Sequence, residues 1–258
     1  MLSTAEWLCQ LELFDVDGLL SWRILSLRAG WLSRSRLLEH LCGRRGMAVI
    51  LAARLACGAA VTLPVAHGLR AALLTFIVVT GWLFKQRRWL SDDGSDQMGQ
   101  IVAMGAAMTA MGLAVQDLLL AYAGVLLIAG QLTIAFFSSG ATKLLSYEWR
   151  SGRAAVGIMG THSFGHELAA RIASSSAGFA VACCWLVIAL EIAFPMALIG
   201  SNSALIALLV TGALFHVATA VFMGLNTYFW SFLAAYPSVW VFNAVLTSVL
   251  KTSSRAGG

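Results

Sequence analysis

LLLAYAGVLLIAGQLTIAFFSSGAT, residues 118–142, carries no charged side chain. About 20 apolar helical residues cross the hydrocarbon of a bilayer, and this stretch is longer than that. It shows no alternation of apolar and polar positions. A lipid solvent offers no partner to backbone N–H and C=O groups, so a helix, which satisfies them within one segment, is expected over a barrel strand.

Similar apolar stretches lie at 47–64, 68–84, 99–115, 176–199, 203–225 and 226–250. Several are rich in small residues, as in GAAMTAMG (105–112), which lets helix backbones approach closely where no hydrophobic force drives helices together. The expected fold is therefore all-α: a polytopic transmembrane helix bundle, residues 46–250. Residues 1–45 form an amphipathic basic N-terminal region, and 251–258 a short tail.

Composition agrees. The 258 residues are 59% hydrophobic and 11% charged, whereas a water-soluble domain devotes about a quarter of its residues to charge. After Glu191 no acidic residue remains, and before Lys251 the ionisable side chains are His216 and two tyrosines. The net charge of +5 comes from Arg23, Arg28, Arg34, Arg36, Arg44 and Arg45 before the first apolar stretch, and from Lys85, Arg87 and Arg88 after the second. Clusters flanking spans act as topology anchors on the cytoplasmic side, with a two-helix hairpin turning near Pro64–Gly68 between them. No aromatic-basic interleaving accompanies the arginines, so nucleic acid is not an expected partner.

Leu19, Leu20, Trp22 and Ile24, with Arg-containing turns through Trp31, Leu37 and Leu38, read as one or two amphipathic helices on the membrane surface. The acidic residues in MLSTAEWLCQLELFDVDG oppose a cleaved leader, whose start would be basic. The five cysteines form no CxxC pair, and three sit in apolar stretches as small hydrophobes. Segment 150–172 is either interfacial or re-entrant.

Ionisable groups inside spans cost at least ~2.5 kcal/mol, so they are candidates for function. Arg54 is close enough to Arg44 and Arg45 to snorkel to that interface. Lys143 ends the 118–142 stretch and precedes the polar-aromatic cluster Tyr147, Glu148, Trp149, Arg150 and Arg153. A lysine in a low-dielectric pocket yields a neutral amine able to act as a base, which makes Lys143 a candidate general base beside the simpler role of interfacial anchor. Glu191, four residues before Pro195, either bonds a neighbouring helix or takes part in chemistry. His216 is either a satisfied buried histidine or an acid-base group.

His162 and His166 stand four apart in THSFGHE, but the order is not HExxH and Gly165 weakens a helix there, so no metal site is expected. SDDGSDQ (91–97) lacks the glutamate that ends a calcium loop and reads as a solvated turn. No G-x-S-x-G, Walker or Rossmann pattern occurs, which argues against hydrolase, nucleotide-driven or dehydrogenase chemistry.

Three stretches resemble the vitamin K-dependent gamma-carboxylase-related family, the horizontally transferred transmembrane (HTTM) domain. SSGATKLLSYEWRSGRAA (138–155) is similar to its glycine, lysine-leucine and W-x-x-G pattern, LEIAFPMALI (190–199) to its E-x-x-x-P, and FHVATAVFMGLNTYF (215–229) to its histidine-containing helix. DGSDQMGQIV (93–102) also resembles the start of one of its helices.

The resemblance implies that Lys143 is the acid-base residue, with Glu191 and His216 in the same membrane cavity and a reduced quinone as cofactor. In the carboxylase, lysine deprotonates that quinone, and its oxygenation generates a base strong enough to remove a carbon-bound proton from a peptide glutamate. The chain departs from the pattern by one extra residue between Lys143 and Trp149, and by lacking the carboxylase's large extramembrane region.

Bacterial relatives of the sporulation-delaying-protein B type are associated with maturation of secreted peptide toxins. The expectation is thus an enzyme of a bacterial cytoplasmic membrane that removes a proton from a peptide carbon, leading to carboxylation, epimerisation or elimination, beside lipid and a second membrane subunit. Two other readings stay open: a non-catalytic membrane scaffold in which Lys143 and Glu191 form a buried pair, and a small transporter with Glu191 and His216 on a proton path.

Overall fold

The computed structural model describes residues 2–27, 36–87 and 94–256. Arg28, Trp31, Arg34, Arg88, Asp92 and Asp93 lie outside the described residues. The described chain is helical, with no strand among its residues. It divides into two compact units, Met1–Gly124 and Val125–Gly258.

The first unit contains α1 (Leu2–Cys9), a 3-10 turn (Leu11–Phe14), α2 (Trp22–Ser26), α3 (Arg36–Cys42), α4 (Arg44–Val61), α5 (His67–Arg87), α6 (Gly94–Ala114) and the start of α7 (Leu118–Leu145). The described part of the N-terminal region is broken into short helices. Some of its apolar residues pack into this unit: Phe14 joins Met47, Leu51 and Phe84 in a buried cluster, and the Trp7 ring stands 5.1 Å from that of Phe84.

The turn between α4 and α5 contains Pro64, which cannot continue the helix hydrogen-bond ladder. Arg54 donates to the Ile77 carbonyl and Thr80 Oγ1, both at 2.5 Å, and its guanidinium lies 5.4 Å from the Phe84 ring centroid. Its charge thus meets acceptors on α5 within the unit. Small residues bring α6 against α7, where Thr109 Oγ1 donates to the Ala121 carbonyl at 3.1 Å.

The second unit holds the rest of α7, then α8 (Tyr147–Arg150), α9 (Arg153–Met159), α10 (Glu167–Ser175), α11 (Ala177–Ala193), α12 (Met196–Ile199), α13 (Asn202–Met223), α14 (Asn226–Leu233) and α15 (Tyr236–Ala256). Local chemistry sets these boundaries. Ser176 and Ser201 cap α11 and α13 by accepting from Phe179 N and Ala204 N at 3.3 and 3.4 Å. Gly224, at φ +71°, closes α13: its own N–H and that of Leu225 satisfy the carbonyls of Ala220 and Thr219. Pro195 follows the end of α11, and Pro237 stands in the first turn of α15, where its missing N–H is tolerated.

Among the described residues, four helical stretches are long and apolar enough to cross a membrane: His67–Lys85, Leu118–Leu145, Asn202–Met223 and Asn226–Leu250. They mark the chain as a membrane protein. The sequence suggested seven spans. Of the other three, α4 carries Arg44, Arg45 and Arg54, α6 begins with Asp96, Gln97 and Gln100, and α11 has only 17 residues. The pair α10 and α11 counts as a fifth only as a broken span or re-entrant loop, bent by 110°. α15 continues through Ala256, so most of the tail expected at 251–258 is helical.

Candidate functional site

Lys143 stands in the last turn of α7, and Glu191 near the end of α11. The two helices cross closely at Gly140: a Cβ there would lie 2.8 Å from Glu191 Cβ and 2.9 Å from Ile192 N. Glycine removes that obstacle, and the next turn of α7 then presents Lys143 to the Glu191 carboxylate. Lys143 Nζ donates to Glu191 Oε1 at 2.7 Å, to Oε2 at 2.8 Å and to Ser139 Oγ at 2.5 Å. Ser139 Oγ donates in turn to Glu191 Oε1 at 3.2 Å.

The pair is well sheltered, with side chains 17% and 5% exposed for lysine and glutamate. Two charges are tolerated in so apolar a place because each is matched by the other and further satisfied by the serine. The Trp149 ring of α8 sits 5.0 Å from Nζ, adding a π face toward the ammonium.

This cluster lines a cavity of about 500 Å³ within the second unit, a volume suited to a small organic ligand or a short peptide segment. α7, α9, α11, α13 and α14 all contribute to its wall, which is otherwise mostly aliphatic and aromatic. His216 of α13 lines the same cavity. Its ring is packed 4.5 Å from Phe232 and 5.7 Å from Phe136, and Phe136 stacks on Phe194 at 3.9 Å with the planes 5° apart. His216 is 5% exposed and its Nε2 has no hydrogen-bond partner among the described residues.

Lys143, Glu191, His216 and Trp149 therefore share one cavity, although their numbers span residues 143 to 216. Tyr147 is not among the lining residues: it is 61% exposed, with the Arg153 guanidinium 5.5 Å from its ring centroid. His162 is exposed in the turn after α9, and His166 stands just before α10 with its ring 5.8 Å from Phe222. No helix joins the two histidines, so the four-residue spacing does not stack them. Among the described residues no three of His, Cys, Asp and Glu gather where a metal ion could be held.

The sequence reading missed Ser139 and Gly140. Ser139 stands four residues before Lys143, a spacing that places two side chains on one helix face, and that signal was available. Gly140 carried none, because its role depends on a helix that arrives from α11.

No family model, curated protein or solved structure matches the chain.

Proposed function

We propose that the protein is a membrane-embedded enzyme of peptide maturation that removes a proton from a carbon next to a carbonyl, with the Lys143–Glu191 pair as its acid-base unit. The observation that carries this reading is a lysine and a glutamate sharing a 2.7 Å contact in the wall of a mostly apolar cavity. Ionisable groups are costly in such a place, which makes them candidates for function.

The pair shares a proton along that contact. When the proton rests on Glu191, Lys143 is an amine that can take a proton from carbon, and the freed electron pair passes into the adjacent carbonyl as an enolate. With the proton on Lys143, the ammonium meets the enolate oxygen. Return of a proton to the opposite face gives epimerisation, loss of a neighbouring hydroxyl gives elimination, and capture of carbon dioxide gives carboxylation. His216, on the same wall, is the partner in proton transfer.

A reduced quinone, as the HTTM resemblance implies, fits the residues present: aromatic and aliphatic walls for its ring, Lys143 and His216 for its oxygens. When bound it would supply the reducing power for a stronger base.

A scaffold is the second reading, favoured by the tight α7–α11 crossing at Gly140, where the ion pair would serve to join two helices. The test is mass spectrometry of a candidate peptide encoded beside this protein, produced with the intact protein and with Lys143→Ala, each checked for equal membrane assembly. A mass change or altered chirality that is lost with Lys143→Ala supports the enzyme. Identical products from both leave the scaffold.

A further inference from the structure

Ser139 is the hydroxyl held by the Lys143–Glu191 pair. Its Oγ accepts from Lys143 Nζ at 2.5 Å and donates to Glu191 Oε1 at 3.2 Å, so its hydrogen points at a carboxylate. A hydroxyl oxygen carries two lone pairs, and the lysine engages one of them. The other is left for a reacting carbon. Ser139 is half-buried and lines the cavity beside Lys143 and Glu191.

A pair able to take a proton from carbon meets an easier proton here, because an O–H ionises more readily than a C–H beside an ester or amide carbonyl. A nucleophile within hydrogen-bond reach of its base, with the base oriented by a third group, is the arrangement of covalent catalysis. Glu191 is that base. Lys143, bonded to both carboxylate oxygens at 2.7 and 2.8 Å, orients it. Ser138 next door shows what the helix alone provides: it is exposed, and its hydroxyl donates to the Ala135 carbonyl of its own helix.

We propose that Ser139 is a nucleophile and that the cavity takes an ester with an apolar acyl chain, whose acyl group passes to Ser139 Oγ. Oγ attacks the carbonyl carbon while Glu191 takes the hydroxyl proton, and the Lys143 ammonium faces the carbonyl oxygen as its charge develops. The C–O bond to the alcohol then breaks. Its electron pair leaves with the alcohol oxygen, which receives the proton from Glu191. Water attacks the acyl-serine in turn, giving a proton to Glu191 that returns to Oγ as the carboxylic acid departs. The apolar chain follows from the wall, where Phe136, Ile158, Val187, Phe222 and Phe232 offer aliphatic and aromatic surface. Acyl transfer is an activity beyond the removal of a proton from carbon and does not rest on it.

The test is mass spectrometry of the full chain in detergent after incubation with a decyl fluorophosphonate, which reacts with activated serines. One phosphonyl adduct on Ser139, and none on Ser138, is expected. Ser139→Ala should lose the adduct, and Glu191→Gln should slow labelling by about 100-fold or more, the usual worth of a general base. With 4-nitrophenyl esters, the decanoate should acylate Ser139 about 10-fold or more faster than the acetate, since each methylene held in an apolar pocket adds discrimination. No adduct on Ser139, equal labelling of Ser138, unchanged labelling in Glu191→Gln, or equal rates for the two esters overturns the proposal. If Glu191→Gln fails to assemble, the wild-type adduct and the comparison with Ser138 still decide it. Failure of the Lys143 peptide test would remove the carbon-acid reaction and leave this labelling as it is, whereas an absent adduct would leave the peptide reaction standing.

Discussion

Lys143 and Glu191, 48 residues apart in the chain, meet at 2.7 Å in the wall of an apolar cavity, with Ser139 bonded to both. Glu191 is buried and Lys143 is mostly covered, with side chains 5% and 17% exposed. Removing one partner therefore strands the other, which sets what each substitution should do.

Lys143→Ala and Glu191→Ala should each destabilise the protein by about 3–5 kcal/mol, the usual consequence of leaving a buried charge unpaired. Lys143→Met combined with Glu191→Leu should recover most of that loss, because an apolar pair of similar volume needs no partner. Denaturation midpoints in one detergent, compared across the three variants, measure the coupling. A double variant no more stable than the singles would show that the pair is not energetically linked.

Lys143→Arg separates chemistry from packing. Arginine keeps the positive charge and can pair with Glu191 through two N–H groups, but it does not give up its proton. Assembly should persist while modification of the peptide falls by about 100- to 10,000-fold, the usual worth of acid-base catalysis. Full turnover with arginine would favour the scaffold reading.

Gly140→Leu should push α7 from α11, since even a Cβ would stand 2.8 Å from Glu191 Cβ. Overpacking of this kind costs about 1–3 kcal/mol. The ion pair should loosen with it, detectable as a smaller stability difference when Glu191→Ala is added to Gly140→Leu than when it is made alone.

Two left-handed glycines should differ in cost. Gly224, at φ +71°, has no atom within 4 Å of a built Cβ, so Gly224→Ala should cost only the conformational penalty of about 1–2 kcal/mol. Gly152, at φ +80°, adds a clash at 2.7 Å with Val181 N, so Gly152→Ala should lose about 1–3 kcal/mol more. Thermal midpoints of the two variants give the comparison, and equal midpoints would mean that the contact between Gly152 and α11 is readily relaxed.

Asn243→Leu should free three carbonyls at once. The Asn243 amide nitrogen lies 3.1, 3.2 and 3.0 Å from the oxygens of Ala197, Leu198 and Gly200, closing the end of α12 against α15. With no water at that depth to replace it, the loss should be about 1–3 kcal/mol, read from the same denaturation series.

Much of the fold was legible because lipid solvent imposes a length and a composition that can be counted. The apolar stretches at 68–84, 118–142, 203–225 and 226–250 coincide with the four helical stretches long and apolar enough to cross a membrane. Seven stretches stood out in the sequence, and four pass as candidate spans among the described residues. Arg54, expected to reach for an interface, donates to Ile77 and Thr80 of α5, and nothing local to its sequence names either.

The candidate site divides in the same way. Lys143, Glu191 and His216 stood out from the sequence as ionisable groups in apolar runs, because desolvation makes such positions rare. Ser139 and Gly140 did not, since a serine and a glycine cost little in lipid and gain meaning only from a neighbour. The sequence by itself determined an all-helical membrane protein and the identity of its costly residues, both consequences of how each side chain partitions between water and hydrocarbon. Only the tertiary structure decided that Lys143 pairs with Glu191 and that His216 shares their cavity. Those relations depend on which helix faces meet, and partitioning is indifferent to that.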